Sequence, residues 1–399
     1  MTAVNKLSRV LTSLKYYFPK RDKNVWVFTE WFGKRSGDNC TYFANYVVNH
    51  CNERKVYWIY EEGADLSFLD EKIVKLQKDS PEAIAVLKTA AVVGMNQGIT
   101  ELSDKGNYSG NAIKINLWHG VMWKKLGYDV NGGASRVDRL KASIKNHSKN
   151  CYLYESPSDE YTKVLNNSFL VNMSNIIEAG QPRNSLFFND EAIKRAKEKI
   201  VGQLKMLTDA NITNNTKIVT YMPTFRDQTN KIFDFAGFTQ YDELVKYLEQ
   251  KDIILVQKAH FVSNERNSVK REESSGRIIT NNELNAQYLL AATDMLITDY
   301  SSCFFDFLLL DRPIVHFMYD YDYYSNDDRG LYYKYEDVVC GDAVFEEDDL
   351  LAAIMTNIEN PEKDKELRLQ RRNRYQKYES DKSCETIMKA IEAKMANMR

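Results

Sequence analysis

The chain has 399 residues, 43% of them hydrophobic and 28% charged, with a formal net charge of −2. That is the composition of an ordinary globular protein, and it argues against a general nucleic-acid binder, which needs a clear basic excess. A chain this long exceeds the usual size of one core, so two domains are expected.

Residues 1–24 stand apart. Leu7, Val10, Leu11, Leu14, Tyr17 and Phe18 fall on one stripe of a helix, ringed by Lys6, Arg9, Lys15, Lys20, Arg21 and Lys23. The pattern fits a helix packed on its own domain, or an interfacial helix against an anionic membrane surface. From 25 to 190 strand-like and helix-like segments alternate. Strands are expected at Val25–Thr29, Val56–Tyr60, Ala91–Met95, Ala112–Trp118, Cys151–Glu155 and Asn175–Ala179, with helices such as Pro81–Thr89 and Asp159–Asn167 among them. The charged helix Asp190–Leu207 and the polar Thr208–Thr216 mark a boundary. From 208 to 360 the alternation resumes through Lys217–Tyr221, Tyr241–Leu248, Ile253–Gln257, Arg277–Thr280, Asn285–Ala292, Met295–Thr298, the helix-like Cys303–Leu310 and Pro313–Phe317. Strands separated by helices of this length read as βαβ units with parallel sheets. Residues 361–399 read as two helices, the first laced with Lys363, Lys365, Arg368, Arg371, Arg372 and Arg374. Two doubly wound Rossmann-type domains facing a cleft, with a terminal helix placed to cross back, describe an α/β fold of the GT-B kind.

Six cysteines (Cys40, Cys51, Cys151, Cys303, Cys340 and Cys384) are scattered without a Cys-x-x-Cys pair, which suits reduced thiols. No apolar run approaches the roughly 20 residues that span a bilayer, and no signal-peptide core is present, so a cytoplasmic protein is expected.

Two histidines close apolar, β-rich runs: His119 after Ala112–Trp118, and His260 shortly after Ile253–Val256. A histidine at the carboxyl end of a buried parallel strand lies where α/β sheets bind ligands. Near the first, Gly120 admits close backbone approach and Lys124 and Lys125 follow. Asp38 and Asn39 end the glycine-flanked turn after the first strand, and Arg183 follows the sixth. Near the second, Thr224 and Arg226 offer a hydroxyl and a planar fork for phosphate oxygens. Lys258 adds charge if its head reaches the same mouth. Thr298-Asp299-Tyr300-Ser301-Ser302 joins a strand to a helix start, which builds an anion site from free N–H groups, the helix dipole and serine hydroxyls. Plain N-capping by Ser301 or Ser302 is the alternative. No metal or other cofactor is expected. The competing view is a Mg²⁺ held by Asp320 or Asp322.

Trp118-His119-Gly120 with Lys124-Lys125-Leu126-Gly127-Tyr128-Asp129 resembles the W-H-G-x-x-x-K-K-x-G-x-D signature of the CDP-glycerol glycerophosphotransferases of teichoic-acid and capsule synthesis. Met222–Asp227, Lys258-Ala259-His260, Thr298–Ser302 with Phe305-Asp306, Arg312-Pro313, Tyr319-Asp320 and Arg329-Gly330 resemble further blocks of that family, in order. Met222, Val121-Met122-Trp123 and Gly180-Gln181-Pro182 depart from its pattern. The resemblance implies a GT-B fold, a CDP-glycerol donor, and a lipid-linked or polymeric acceptor reached peripherally at the inner face of the membrane. On that reading His119 is the base, and His260, Arg226, Thr224, Ser301, Ser302, Asp299 and Lys258 serve the donor phosphates. Gly120, Lys124, Lys125, Asp38, Asn39 and Arg183 lie on the acceptor side. The alternatives are a CDP-ribitol donor, a nucleotide-sugar glycosyltransferase, and a non-catalytic assembly protein.

Overall fold

The computed structural model describes residues 11, 12, 15, 16, 20–131, 133–146, 152–224, 232–258, 276–322, 324 and 330–397. They form two compact units. The first comprises residues 1–119, 127–185 and 377–399, and the second 120–126 and 186–376. The division thus moves Gly120–Leu126 out of the expected span 25–190, and splits the expected terminal span 361–399 after Gln376.

In the first unit, β1 (Asp22–Phe28), β2 (Lys55–Tyr60), β3 (Val74–Gln77), β4 (Ala90–Met95), β5 (Ile113–Asn116), β6 (Tyr152–Ser156) and β7 (Ile176–Glu178) make a parallel seven-stranded sheet of order β3-β2-β1-β4-β5-β6-β7. Successive residues of β1 face opposite sides. Trp26 and Phe28 pack with Phe43, Trp58 and Ile115, and with Ile387 and Met388 of the helix Ser383–Asn397. Val25 and Val27 pack with Ile59, Val93 and Leu87. In the second unit, β8 (Lys217–Tyr221), β9 (Ile253–Gln257), β10 (Ile278–Thr280), β11 (Met295–Thr298), β12 (Ile314–Phe317) and β13 (Asp342–Val344) follow the order β10-β9-β8-β11-β12-β13. Both sheets wind outward to one edge, return to the centre and wind to the other, so both are Rossmann-type and the fold is GT-B-like. The strand order reverses between β1 and β4, and between β8 and β11. Ligands of such sheets bind beyond the carboxyl ends of those strands.

The structure departs from the sequence expectation at several points, the unexpected helices Asn39–His50 and Leu350–Glu359 among them. The edge strands β3 and β13 and the helix Arg136–Asn146 were not anticipated. Cys303–Leu310 is a five-residue helix, Cys303–Phe307, followed by a tighter turn, Leu308–Leu310. The terminal cations also have definite places. Arg368 is buried and paired with Asp311 at 3.0 Å, while Arg371 donates to the carbonyls of Glu336 and Val339 at 2.6 and 3.2 Å. Those arginines hold their own domain together. Of the amino-terminal stripe only Leu11 is described, and Leu7, Val10, Leu14, Tyr17 and Phe18 lie outside the described residues. Nearby, Tyr16 meets Tyr108 at 5.7 Å, and Arg21 donates to Asn111 Oδ1 at 2.7 Å and to the Lys88 carbonyl at 2.7 Å. That part of the segment rests on the first unit.

Candidate active site

Past the end of β1, Thr29 and Glu30 are fully buried, and the chain then turns through Trp31 (φ 50°), Phe32 (φ 60°) and Gly33 (φ 85°). Gly33 is required, because a Cβ there would stand 3.0 Å from the Glu61 nitrogen. Left-handed conformations at non-glycine residues cost about 1–3 kcal/mol each and persist only when the surroundings impose them. Here Asn96 Oδ1 accepts the Trp31 N–H at 3.0 Å, Glu101 Oε1 accepts the Phe32 N–H at 2.9 Å, and Asp38 Oδ2 accepts the Trp31 indole N–H at 2.8 Å. The other Glu101 oxygen gathers the N–H groups of Asn96, Gln97 and Gly98 at the end of β4. One buried carboxylate therefore joins both loops of the switch point.

His119 stands three residues past β5, between Trp118 (φ 33°) and Gly120 (φ 143°). The Trp118 ring stacks on its imidazole at 4.5 Å, and the Trp31 ring lies at 5.0 Å. Nδ1 is 3.2 Å from the Asn96 carbonyl oxygen. The Gln97 side-chain nitrogen faces the same Nδ1 at 3.4 Å; the carbonyl is nearer and can only accept, so the tautomer that satisfies it carries the hydrogen on Nδ1 and leaves the Nε2 lone pair. Burial, opposed by the nearby Asp38, takes the imidazole pKa down to about 4, so it is neutral near pH 7.

Behind His119, Arg183 donates to Asp38 Oδ1 at 2.8 Å and to the His119 carbonyl at 3.1 Å. The Arg183 backbone N–H meets Asn39 Oδ1 at 3.1 Å, and Asn39 Nδ2 reaches the Leu117 carbonyl at 2.7 Å. Burial would raise the Asp38 pKa, but Arg183, His119 and Arg35 bring it below the ordinary value. Burial first, and Asp38 second, push Glu30 up to about 8. Asp38, Asn39 and Arg183 are thus brought together with His119, as the sequence suggested. They are buried, however, and bond to one another, with Asn39 and Arg183 holding the carbonyls of Leu117, Trp118 and His119. Gly120, Lys124 and Lys125, expected on the same side, belong to the second unit.

At the second switch point, Asp299 is fully buried and its Oδ1 accepts the Thr224 N–H at 2.8 Å. Thr298 Oγ1 donates to the Met222 carbonyl at 2.8 Å. Asp299 therefore fastens the loops after β8 and β11 to each other, and as a carboxylate it repels an anion. Lys258 is buried, with its ammonium on the Asn282 carbonyl. Ser301 and Ser302 are half-buried, and Ser302, at the N-cap, makes no side-chain cap bond. The helix behind them has five residues, so its dipole is smaller than the apolar run suggested. Arg226 and His260 lie outside the described residues. Sequence reasoning overlooked His316, which closes the apolar Pro313-Ile314-Val315. It is fully buried, and its Nε2 accepts the Cys340 N–H at 3.4 Å. Among the described residues no group of three or more His, Cys, Asp or Glu side chains is arranged to hold a metal.

The family description CDP-Glycerol:Poly(glycerophosphate) glycerophosphotransferase matches residues 10–393. The chain belongs to this family. The transferase is 25% identical over 358 residues to the teichoic acid glycerol-phosphate transferase of Staphylococcus aureus (strain NCTC 8325 / PS 47), covering 86% of this chain and 87% of that one. It is 24% identical over 360 residues to the teichoic acid poly(glycerol phosphate) polymerase of Bacillus subtilis (strain 168), covering 88% of this chain but only 46% of the polymerase. The wall teichoic acid polymerase TagF superposes with a TM-score of 0.77 at 22% identity, covering 99% of the transferase and 94% of that chain. The resemblance read from the motifs is borne out at the level of family and fold.

Proposed function

We propose that the transferase moves glycerol phosphate from CDP-glycerol to a hydroxyl of a lipid-linked or polymeric teichoic-acid acceptor, releasing CMP. Family membership supports the donor and the reaction. The observation that best supports the chemistry is His119, a neutral imidazole with its hydrogen directed to Asn96 and Nε2 left to accept a proton. On this reading the acceptor oxygen attacks the β-phosphorus, its proton passes to Nε2, and the bond from that phosphorus to CMP breaks, its electron pair leaving with CMP. Ser301, Ser302 and Thr224, with Arg226, His260 and Lys258, serve the donor phosphates. Such a transfer depends mainly on positioning and charge stabilisation. The test is to incubate the pure protein and a lipid-linked acceptor with CDP-glycerol, CDP-ribitol or UDP-glucose. CMP should appear with CDP-glycerol; release with CDP-ribitol alone, or of UDP, would transfer the assignment to another donor. His119→Ala should lower turnover by about 10²–10⁴-fold with donor affinity kept, and wild-type turnover would remove His119 from the reaction.

A lipid-linked acceptor requires contact with a membrane, and among the described residues no helix is long and apolar enough to cross one. We assign the contact to the helix Arg136–Asn146. Val137 and Leu140 are 58% and 64% exposed there, one turn apart, beside Arg136, Arg139 and Lys141. Apolar side chains flanked by cations suit an anionic interface, where each cation adds about 1 kcal/mol. The double variant Val137→Glu/Leu140→Glu should no longer float with anionic liposomes. Undiminished flotation would return the contact to the amino-terminal stripe.

A further inference from the structure

Lys124 follows His119 by five residues, and its place in the sequence assigns it to the acceptor. The chain, however, changes unit between them. Lys124 bridges to Leu331 in antiparallel fashion, the Lys125 N–H meets the Gly330 carbonyl at 3.0 Å, and the Tyr332 N–H meets the Trp123 carbonyl at 2.8 Å. Trp123 Nε1 donates to the Tyr333 carbonyl at 3.2 Å, and the Leu126 N–H to Tyr332 Oη at 3.1 Å. Four hydrogen bonds, two of them forming that bridge, thus fix the segment on the second unit. Its side chains then run to the turn after β11. Trp123 is buried against Tyr300 at 6.1 Å and edge-on to Phe304 at 5.6 Å. The Lys124 ammonium lies 5.1 Å from the centre of the Tyr324 ring, which stacks on Tyr300 at 3.8 Å and 9°. Tyr300 is the residue between Asp299 and Ser301, and its hydroxyl reaches Asp320 at 3.3 Å.

We propose that Lys124 binds the diphosphate of the nucleotide donor, from the second unit, and takes no part in acceptor recognition; this rests on the donor reading above. Its ammonium lies on the Tyr324 ring, which stacks on the ring of Tyr300 in the Asp299–Ser302 turn. Charge gives the reason. A donor diphosphate brings two negative charges to a mouth where Asp299 is itself a carboxylate, and the Lys124 ammonium adds to the cations assigned above to those phosphates. A lysine held against an aromatic face has little conformational freedom left to lose on binding.

Lys124→Met keeps the aliphatic stem on Tyr324 and removes the charge. In calorimetric titrations the variant should bind CDP-glycerol and CDP about 10–100-fold more weakly, the worth of one charge-assisted hydrogen bond. Its affinity for cytidine, which has no phosphate, and its KM for the acceptor should be unchanged. Lys124→Arg should recover most of the loss. Unchanged affinity for CDP, or a raised acceptor KM with the donor intact, overturns the assignment. So does an arginine variant as weak as the methionine one, because the stack would then be purely structural. Titrating CDP beside CDP-glycerol separates this proposal from the identity of the polyol: CDP reports Lys124 even if the donor carries another polyol.

Discussion

Replacing Arg183 by Met removes the guanidinium that donates to Asp38 at 2.8 Å and to the His119 carbonyl at 3.1 Å, while filling much of its volume. Both side chains of the ion pair are only 9% exposed, so water cannot take the place of the lost partner. Breaking a buried pair from one side costs about 3–5 kcal/mol. Asp38 still accepts the Trp31 indole N–H and the Asn39 N–H, which places the expectation near the lower end, about 3 kcal/mol. For a unit of this size that lowers the first unit's melting transition by roughly 6–12 °C. Asp38→Asn in the same background removes the stranded charge and should recover most of the loss. The Asp38 carboxyl is held below its ordinary value, so the pair stabilises above the unfolded carboxyl pKa of about 4 and ceases to do so as pH falls through the folded value. Wild type and Arg183→Met should therefore converge in acid. Calorimetry of the four proteins of the cycle at neutral and acid pH is the assay. A loss under about 1 kcal/mol, or a double variant no better than Arg183→Met, refutes the reasoning, since a truly buried and unpaired charge costs more.

With the His119 pKa at about 4, its base form persists across the weakly acid range, so this group leaves kcat/KM flat from about pH 8 to pH 5. An acid limb centred near 6.5 would contradict the burial argument. The same shift makes the unfolded chain bind more protons than the native one between about 6.5 and 4, so acid should erode the first unit's stability across that window, and His119→Gln should lessen the erosion. Arg371→Ala removes two bonds to carbonyls and should cost about 1–3 kcal/mol in urea unfolding of the second unit, leaving liposome flotation unchanged. Lost flotation with unchanged stability would make the basic helix Lys365–Tyr375 the membrane contact.

Buried parallel strands announce themselves as apolar runs, so β1, β4, β8, β9 and β11 were legible within a residue or three. The edge strands were not: Val74–Gln77 is largely exposed and Asp342–Val344 has three residues, so neither needs an apolar run. Cys303–Leu310 looked like one helix because composition does not record the tighter winding at Leu308 or the left-handed Asp311 that ends it. His119 could be found because it closes a strand. Asn96 and the Glu101 oxygen that holds Phe32 could not, since the Trp31 and Phe32 N–H groups they receive are remote in sequence, and no spacing rule encodes that. For Glu30, an acid directly after a central apolar strand was the available signal. Lys124 shows the opposite limit, because nearness in sequence to His119 does not record the change of unit between them.

Cys384, Ile387, Met388 and Ile391 fill the face of the first sheet that Trp26, Phe28 and Phe43 also line. These residues leave the ribosome after the entire second unit has been made. The amino-terminal sheet must therefore wait, its apolar face incompletely covered, through some two hundred residues of synthesis. The second unit, whose larger stretch is continuous, can complete its core first. Vectorial folding thus runs opposite to the usual amino-to-carboxyl order, and a chain released before residue 384 would carry a finished second unit beside an unsealed first one. Such products should be recognised by chaperones and proteases through the first sheet.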